Sequence, residues 1–457
     1  MTFFGYETDS YETPNYMTAE NLSDKDFVLD YCLHNGEVLK YASKALQEDK
    51  DVVLCAVKNK GTTLKYASEE LKKNKEVAMA ALESDIKAFK YASKTLRNDK
   101  EIIMCVVNID GCLLKQASHE LRNDREVVLA AIANDESALK YASEELRNDK
   151  QLILQIINTN GFALQYASEQ LRNDKEVVLA AVANNGWALE SASDTLRNDK
   201  EIVLAAVANV GYALEFACEK LRNDKEVVLT ALANSGCWYI LGFASIELRN
   251  DKEVVLVAVA DAGSELEYAS SRLKNDKEVV LAAVANDGEA LEYASDELQN
   301  DKEVVITALM HEGGALMFAS EELRNDKEVV MIAVKNNTLA LDYASSRLKN
   351  DKEVVFAAVA NDGWAIEYAS EELQNDKDVV LVAVKNAGAA LYFASEELQN
   401  DKEVVLAAIL NDGSAIRHAS EELKSDMKLM SISILNREWT EEEWDMRRRL
   451  PLWLWNE

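Results

Sequence analysis

The sequence predicts an all-α fold: an α–α solenoid of about sixteen 25-residue helical hairpins, wound as a superhelix. Three observations predict it. A 25-residue pattern, seen whole as DKEVVFAAVANDGWAIEYASEELQND at 351–376, recurs through most of the 457 residues. No proline lies between Pro14 and Pro451, as expected where helices fill the interval. Each repeat holds two helical patterns of about ten residues, below the length at which isolated helices persist, so neighbours must stack to bury their apolar faces.

Lys352 serves as position 1 of the repeat. Asn350 and Glu353 read as a capping box, and Asp351 and Glu353 place negative charge at a helix start. The run VVFAAVA at 354–360 is apolar on every side and predicts a buried inner helix. Asn361, Asp362 and Gly363 end it, with Gly363 as a left-handed C-cap. Residues 364–374 predict an amphipathic outer helix. Ile366, Ala369 and Leu373 fall on one face beside Tyr368, and Glu367, Glu371 and Glu372 on the other. Position 18 is alanine and position 22 leucine in every repeat, as at Ala42 and Leu46, which predicts a close contact and a filled joint.

Three regions follow. Residues 1–22 form an N-terminal tail, with Phe3, Phe4, Tyr6, Tyr11 and Tyr16, that either covers the first hairpin or carries a short linear motif. Residues 23–436 form the solenoid. Its step is 25 residues except between Lys225 and Lys252, so 225–251 is an irregular repeat. Residues 437–457 form a C-terminal cap and tryptophan-rich tail. Trp439 and Trp444 read as cover for the last apolar face. Trp453 and Trp455, beside Arg447, Arg448 and Arg449, read equally as cover or as an anchor for a partner or a membrane surface.

The formal net charge of −31 argues against a nucleic-acid-binding role. No apolar run approaches the roughly 20 residues of a membrane span, and the N-terminus lacks the order of a signal peptide, so a cytoplasmic location is expected. The six cysteines form no CxxC pair and read as small buried residues in a reducing compartment. The four histidines match no metal spacing. No nucleotide loop, zincin helix or nucleophile elbow is present. Paired glutamates such as Glu371 and Glu372 recur along the chain, whereas an active site is a singular place; they read as a solvated face. No catalytic residue, cofactor or metal is expected.

In a repeat protein, function resides where repeats differ on the exposed face. Position 16 carries Lys40, Lys65, Lys90, Lys115 and Lys140, then Gln165, then Glu190, Glu215, Glu267, Glu292, Asp342 and Glu367. Stacking would turn these into a basic and an acidic stripe, or they pair locally with nearby glutamates. Position 13 carries Phe162, Trp187 and Tyr212 in three successive repeats, which read either as binding anchors or as packing over the next repeat. The insertion contributes Trp238 and Tyr239 within GCWYILGF at 236–243, as a tolerated kink or as a bulge completing a binding patch.

The pattern LRNDKEVVLAAVANNGWALE followed by LRNDKEIVLAAVANVGYALE resembles an uncharacterised repeat domain of about fifty residues, two repeats long. The resemblance implies occurrence among large DNA viruses, protists and bacteria living inside protists. The resemblance covers residues 24 to about 436. It implies no activity and supplies no functional residues, but it makes a virus or an intracellular microbe a plausible source. The expected function is a protein-binding scaffold, with host proteins as candidate partners and self-association left open. The alternatives are a self-assembling structural component, for example of a virus particle, and, far behind, an enzyme.

Overall fold

The computed structural model describes residues 18–234, 236 and 239–436. Among them there are helices and no strand. They form two compact units, an N-terminal one ending at Asn209 and a C-terminal one starting at Val210. Within each, 25-residue repeats stack so that inner helix packs on inner helix and outer segment on outer segment. Each is an all-α repeat solenoid.

The repeat at 351–376 shows why. The inner helix is Lys352–Asn361. Its N-cap is Asp351, whose Oδ1 accepts from the backbone N–H groups of Glu353 (3.0 Å) and Val354 (3.2 Å). The expected capping box with Asn350 is therefore not formed. Val354, Val355, Ala358 and Val359 are buried, while Phe356 and Ala357 are half-buried and Ala360 is exposed. The helix thus buries one face, not its whole circumference, because the stack covers only the sides that meet neighbouring repeats and the outer segment.

The outer segment is not one continuous helix. A 3₁₀ helix, Gly363–Tyr368, leads through extended Ala369 (φ −70°, ψ 160°) into a single α-turn, Glu371–Gln374. Ser370 causes the break. Its hydroxyl accepts from Leu373 N–H, starting a new helix where the old one would have continued. Gln374 closes the turn by donating from Nε2 to the Ile366 and Glu367 carbonyls. Ala369 and Leu373 are buried at this joint, as their invariance down the repeats requires.

Gly363 is needed for approach, not for a left-handed cap. Asp362 ends the inner helix in an extended conformation (φ −145°). A Cβ on Gly363 would lie 2.2 Å from the Ala383 carbonyl oxygen of the next repeat. Gly363→Ala forces the two repeats apart, and overpacking of this kind costs roughly 1–3 kcal/mol. The urea midpoint of the variant is expected to fall, and an unchanged midpoint would show that the contact is not tight.

Three polar ladders tie successive repeats. Lysine at position 1 reaches the N-cap aspartate of the next inner helix, as at Lys25–Asp49, Lys252–Asp276 and Lys402–Asp426 (2.6–2.8 Å). It commonly also reaches the acid two residues on, as at Lys252–Glu278 (2.9 Å). Serine at position 19 donates from Oγ to the asparagine that precedes the N-cap aspartate, as at Ser370–Asn350 and Ser270–Asn250, and its N–H bonds the carbonyl before that asparagine. Asparagine at position 10 forms the third ladder, described below.

The ion-pair ladder sets a pH window. The Lys252 hydrogen bond holds the Asp276 carboxyl below its usual 3.8, against the opposing effect of burial. Hydrogen bonds to Asp276 and Glu278 raise Lys252 above 10.5. The carboxylate contribution to stability is therefore complete above pH 3.8 and lost as pH falls through the lowered folded value. The lysine contribution is complete below pH 10.5 and lost as pH rises through the raised one. The ladder's contribution to the urea midpoint is expected to be level between these limits and to fall on either side. Replacing Lys252 and Lys302 by glutamine should blunt both falls. A wild-type midpoint level down to pH 2 would remove the ladder from the stability account.

Candidate functional site

The third ladder locates the first site. Asn134 accepts from Gly111 N–H at Oδ1 (2.8 Å) and donates from Nδ2 to the Asn108 carbonyl (3.0 Å). Asn411 does the same with Gly388 N–H (2.7 Å) and the Lys385 carbonyl (2.9 Å). The rung needs both glycine and asparagine, since a Cβ on Gly111 would lie 2.2 Å from the Ala131 oxygen. Two junctions of the N-terminal unit lack both members: Ile86 with Ile109, and Glu136 with Thr159.

At the second of these the structure opens. Glu136 has a side chain where close approach requires none, and Thr159 turns its hydroxyl back onto the Ile156 carbonyl (2.7 Å). The inner helix Lys150–Ile157 stops two residues short of its neighbours, with Asn160 donating to Glu136 instead. The result is a groove of about 890 Å³ running from Ile109 to Tyr166. Its apolar lining includes Ile109, Ile132 and Phe162, and its acids are Asp110, Asp135 and Glu136. Asp135 accepts from the Cys112 thiol (3.0 Å) and from Ser137 N–H (2.9 Å), which holds its carboxyl below the usual value.

Phe162 is 41% exposed. Elsewhere a position-13 aromatic rests on the position-17 aromatic of the next repeat. Tyr212 meets Phe243 edge-on at 4.8 Å, and Trp364 meets Phe393 at 5.9 Å. The next repeat carries Ser191 at that position, so it offers Phe162 no such ring. Trp187 and Tyr212 are half-buried. Phe162 and Trp187 belong to the N-terminal unit and Tyr212 to the C-terminal one.

Lys40, Lys90, Lys115 and Lys140 are exposed and Lys65 half-exposed, at one position of successive 3₁₀ segments in the N-terminal unit. Lys40, Lys65, Lys90 and Lys140 each lie 4.5–5.0 Å from the ring of the tyrosine that follows. Trp238, Trp453 and Trp455 lie outside the described residues.

The chain belongs to the DUF4116 family. The matching model is described as a domain of unknown function, and it fits in overlapping windows from 24–72 to 401–436, most of them two repeats long. No curated protein matches the chain. This DUF4116 chain has no helix, among the described residues, long and apolar enough to cross a membrane. Nor do those residues contain a group of three His, Cys, Asp or Glu side chains able to hold a metal ion. Cys32 is buried, which pushes its thiol up to about 12, with Cys55 as a further cause.

The insertion is held by a residue that periodicity overlooked. Tyr239 takes a left-handed conformation (φ 85°) and leads into the short helix Ile240–Phe243. Glu265, only 3% exposed, accepts from Ile240 N–H (2.7 Å) and Leu241 N–H (3.1 Å) with its two carboxylate oxygens. It occupies a column filled by alanine in most other repeats, and that mismatch was the available signal. Tyr239 is 46% exposed and meets Tyr268 edge-on at 5.8 Å.

Burial raises the Glu265 carboxyl above 4.5, opposed by the hydrogen bonds from Ile240 and Leu241. The folded state thus holds this proton more tightly than the unfolded chain. Its contribution is complete below pH 4.5 and is lost as pH rises through the folded value. Glu265→Gln cannot titrate. The urea midpoint of the variant, relative to wild type, should therefore rise as pH increases above 4.5. A constant difference across that range would show that the carboxylate is ionised at no cost.

Proposed function

We propose that this DUF4116 chain is a non-enzymatic scaffold that binds a protein partner, with the groove beside Phe162 receiving a segment of that partner. One observation supports the reading above the others. The groove arises where the sequence gives up a rung of its own stabilising ladder, at Glu136 and Thr159, and leaves an aromatic ring open beside it. A rigid aromatic at the edge of an apolar cleft loses little freedom on binding, which is the property of an anchor residue. The acids at Asp110, Asp135 and Glu136 favour a partner segment carrying lysine or arginine. Host proteins are the candidate partners if the chain comes from a virus or an intracellular microbe.

The test is capture of binding proteins from a lysate by three forms of the chain. Phe162→Ala should weaken capture by about 2 kcal/mol if the ring is an anchor. The double variant Glu136→Gly with Thr159→Asn restores the rung. It should abolish capture while its melting temperature stays level or rises. Capture that survives the repaired rung would remove the groove from the interface. A large, stable oligomer on light scattering, with no captured partner, would favour a self-assembling component.

A further inference from the structure

A second surface, in the C-terminal unit, gathers aromatic rings that no single repeat explains. Trp364 lies on Phe393, Phe393 meets Tyr392 at 5.1 Å, and Tyr392 meets His418 at 5.2 Å, all edge-on. Three successive repeats contribute. Trp364 is 47% and Tyr392 60% exposed. Tyr392 stands at position 16, between Glu367 and Arg417 of the adjoining repeats, and His418 replaces the usual tyrosine or phenylalanine at position 17. Beside the rings lies a cavity of about 620 Å³ lined by Tyr392, His418, Glu396 and Glu422.

The charges there lean acidic. Lys424 is paired with Glu421 (2.8 Å), and Arg417, which donates to His418 Nε2 (3.1 Å), keeps its charge, leaving Glu396 and Glu422 against one base at the cavity. Glu367, Glu396 and Glu422 form no ion pair with a lysine or arginine among the described residues. Glu367 lies one 3₁₀ turn from Trp364, on the same side of that helix. Exposed rings beside unpaired carboxylates suit a segment that is both cationic and aromatic.

The chain supplies such a segment. After Asn436 the sequence runs to DMRRRLPLWLWNE, with Arg447, Arg448 and Arg449 followed by Trp453 and Trp455. Its starting point is fixed close by. The Asn436 carbonyl accepts from Gly413 N–H (3.0 Å), and Gly413 opens the same 3₁₀ helix, Gly413–His418, that carries His418. Arg447 lies eleven residues beyond Asn436, a stretch that spans roughly 36–40 Å when extended. Adjacent helices pack about 10 Å apart, so Tyr392 and Trp364 are within reach.

We propose that residues 445–457 dock on this cluster in the same molecule, the arginines against Glu396 and Glu422 and the tryptophans against Trp364 and Tyr392. The segment would cover the exposed rings and leave them open only to a competitor of the same chemistry. Tethering places it at millimolar effective concentration, so the site should be largely occupied in the intact chain.

The probe is a fluorescent synthetic peptide of residues 445–457, followed by anisotropy. Wild-type chain should bind it weakly. Full chain carrying Trp453→Ala and Trp455→Ala should bind it at least tenfold more tightly, because the site is vacated. Adding Tyr392→Ala should remove that gain. Tyr392→Glu, which copies the glutamate of the preceding repeat at an exposed position, should do the same without disturbing the fold. Equal weak binding by wild type and the tryptophan variant would overturn the proposal, as would tight binding that survives both Tyr392 changes. A gain accompanied by a concentration-dependent doubling of mass on light scattering in the wild type would place the segment on a second copy and overturn docking within one molecule.

Discussion

The fold hangs on the residue that caps each inner helix, an aspartate in every repeat except the one capped by Asn74. Asp276 shows the two duties it performs. One oxygen satisfies the first N–H groups of its own helix, and the carboxylate also receives Lys252 from the preceding repeat. Local helix formation and stacking are thereby coupled through a single side chain. A helix this short gains little by forming alone, and the lysine is too exposed for the ion pair to contribute much by itself. Joined at one carboxylate, each makes the geometry of the other less costly. The serine and asparagine ladders repeat the principle at the other two corners of the hairpin.

A structure built from repeated rungs offers a plain way to build a site: leave one out. Where Gly111 and Asn134 meet, the backbones approach so closely that an added Cβ would strike the Ala131 carbonyl oxygen. Where Glu136 and Thr159 stand instead, the same junction becomes a groove with a free aromatic edge. The change costs the chain a rung and produces concave surface on otherwise uniform repeats. The insertion is treated differently. At its end, the buried Glu265 carboxylate accepts from the first N–H groups of the short helix Ile240–Phe243. One irregularity is left open and the other is secured, which is a physical ground for looking to the first for function.

The aromatic cluster of the C-terminal unit extends this contrast. Tyr212 with Phe243 and Trp364 with Phe393 pair a position-13 ring with the position-17 ring of the next repeat. Tyr392 adds a ring on the outside of such a pair, where packing does not require one. Its place in a column of acids and bases makes it a departure in chemistry as well as in size. The two surfaces differ in construction: the groove is a missing contact between backbones, and the cluster is a surplus of side chains.

The repeat itself was legible because its signals are local. The Asn-Asp-Lys-Glu helix start, the alanine and leucine columns and the absence of proline report on short stretches of chain, and the all-α stack follows from them. The insertion was also legible, as a break in a 25-residue step. Even the interruption of the outer segment had a local sign in Ser370 ahead of two glutamates, although apolar periodicity pointed to one helix. Phe162 was found as an aromatic out of place, but its exposure was not, because exposure depends on Ser191 in the next repeat. What only the tertiary structure decided was how residues 20 to 27 apart meet. Gly363 looked like a turn residue and proved to be a contact with Ala383. Asn350 looked like a cap and proved to be a partner for Ser370. Glu136, Thr159, Glu265 and Tyr392 gain their meaning from neighbours one repeat away. A sequence displays the preferences of each residue for its own backbone, whereas a rung, a groove or an aromatic cluster is a relation between surfaces that exists only once the repeats are stacked.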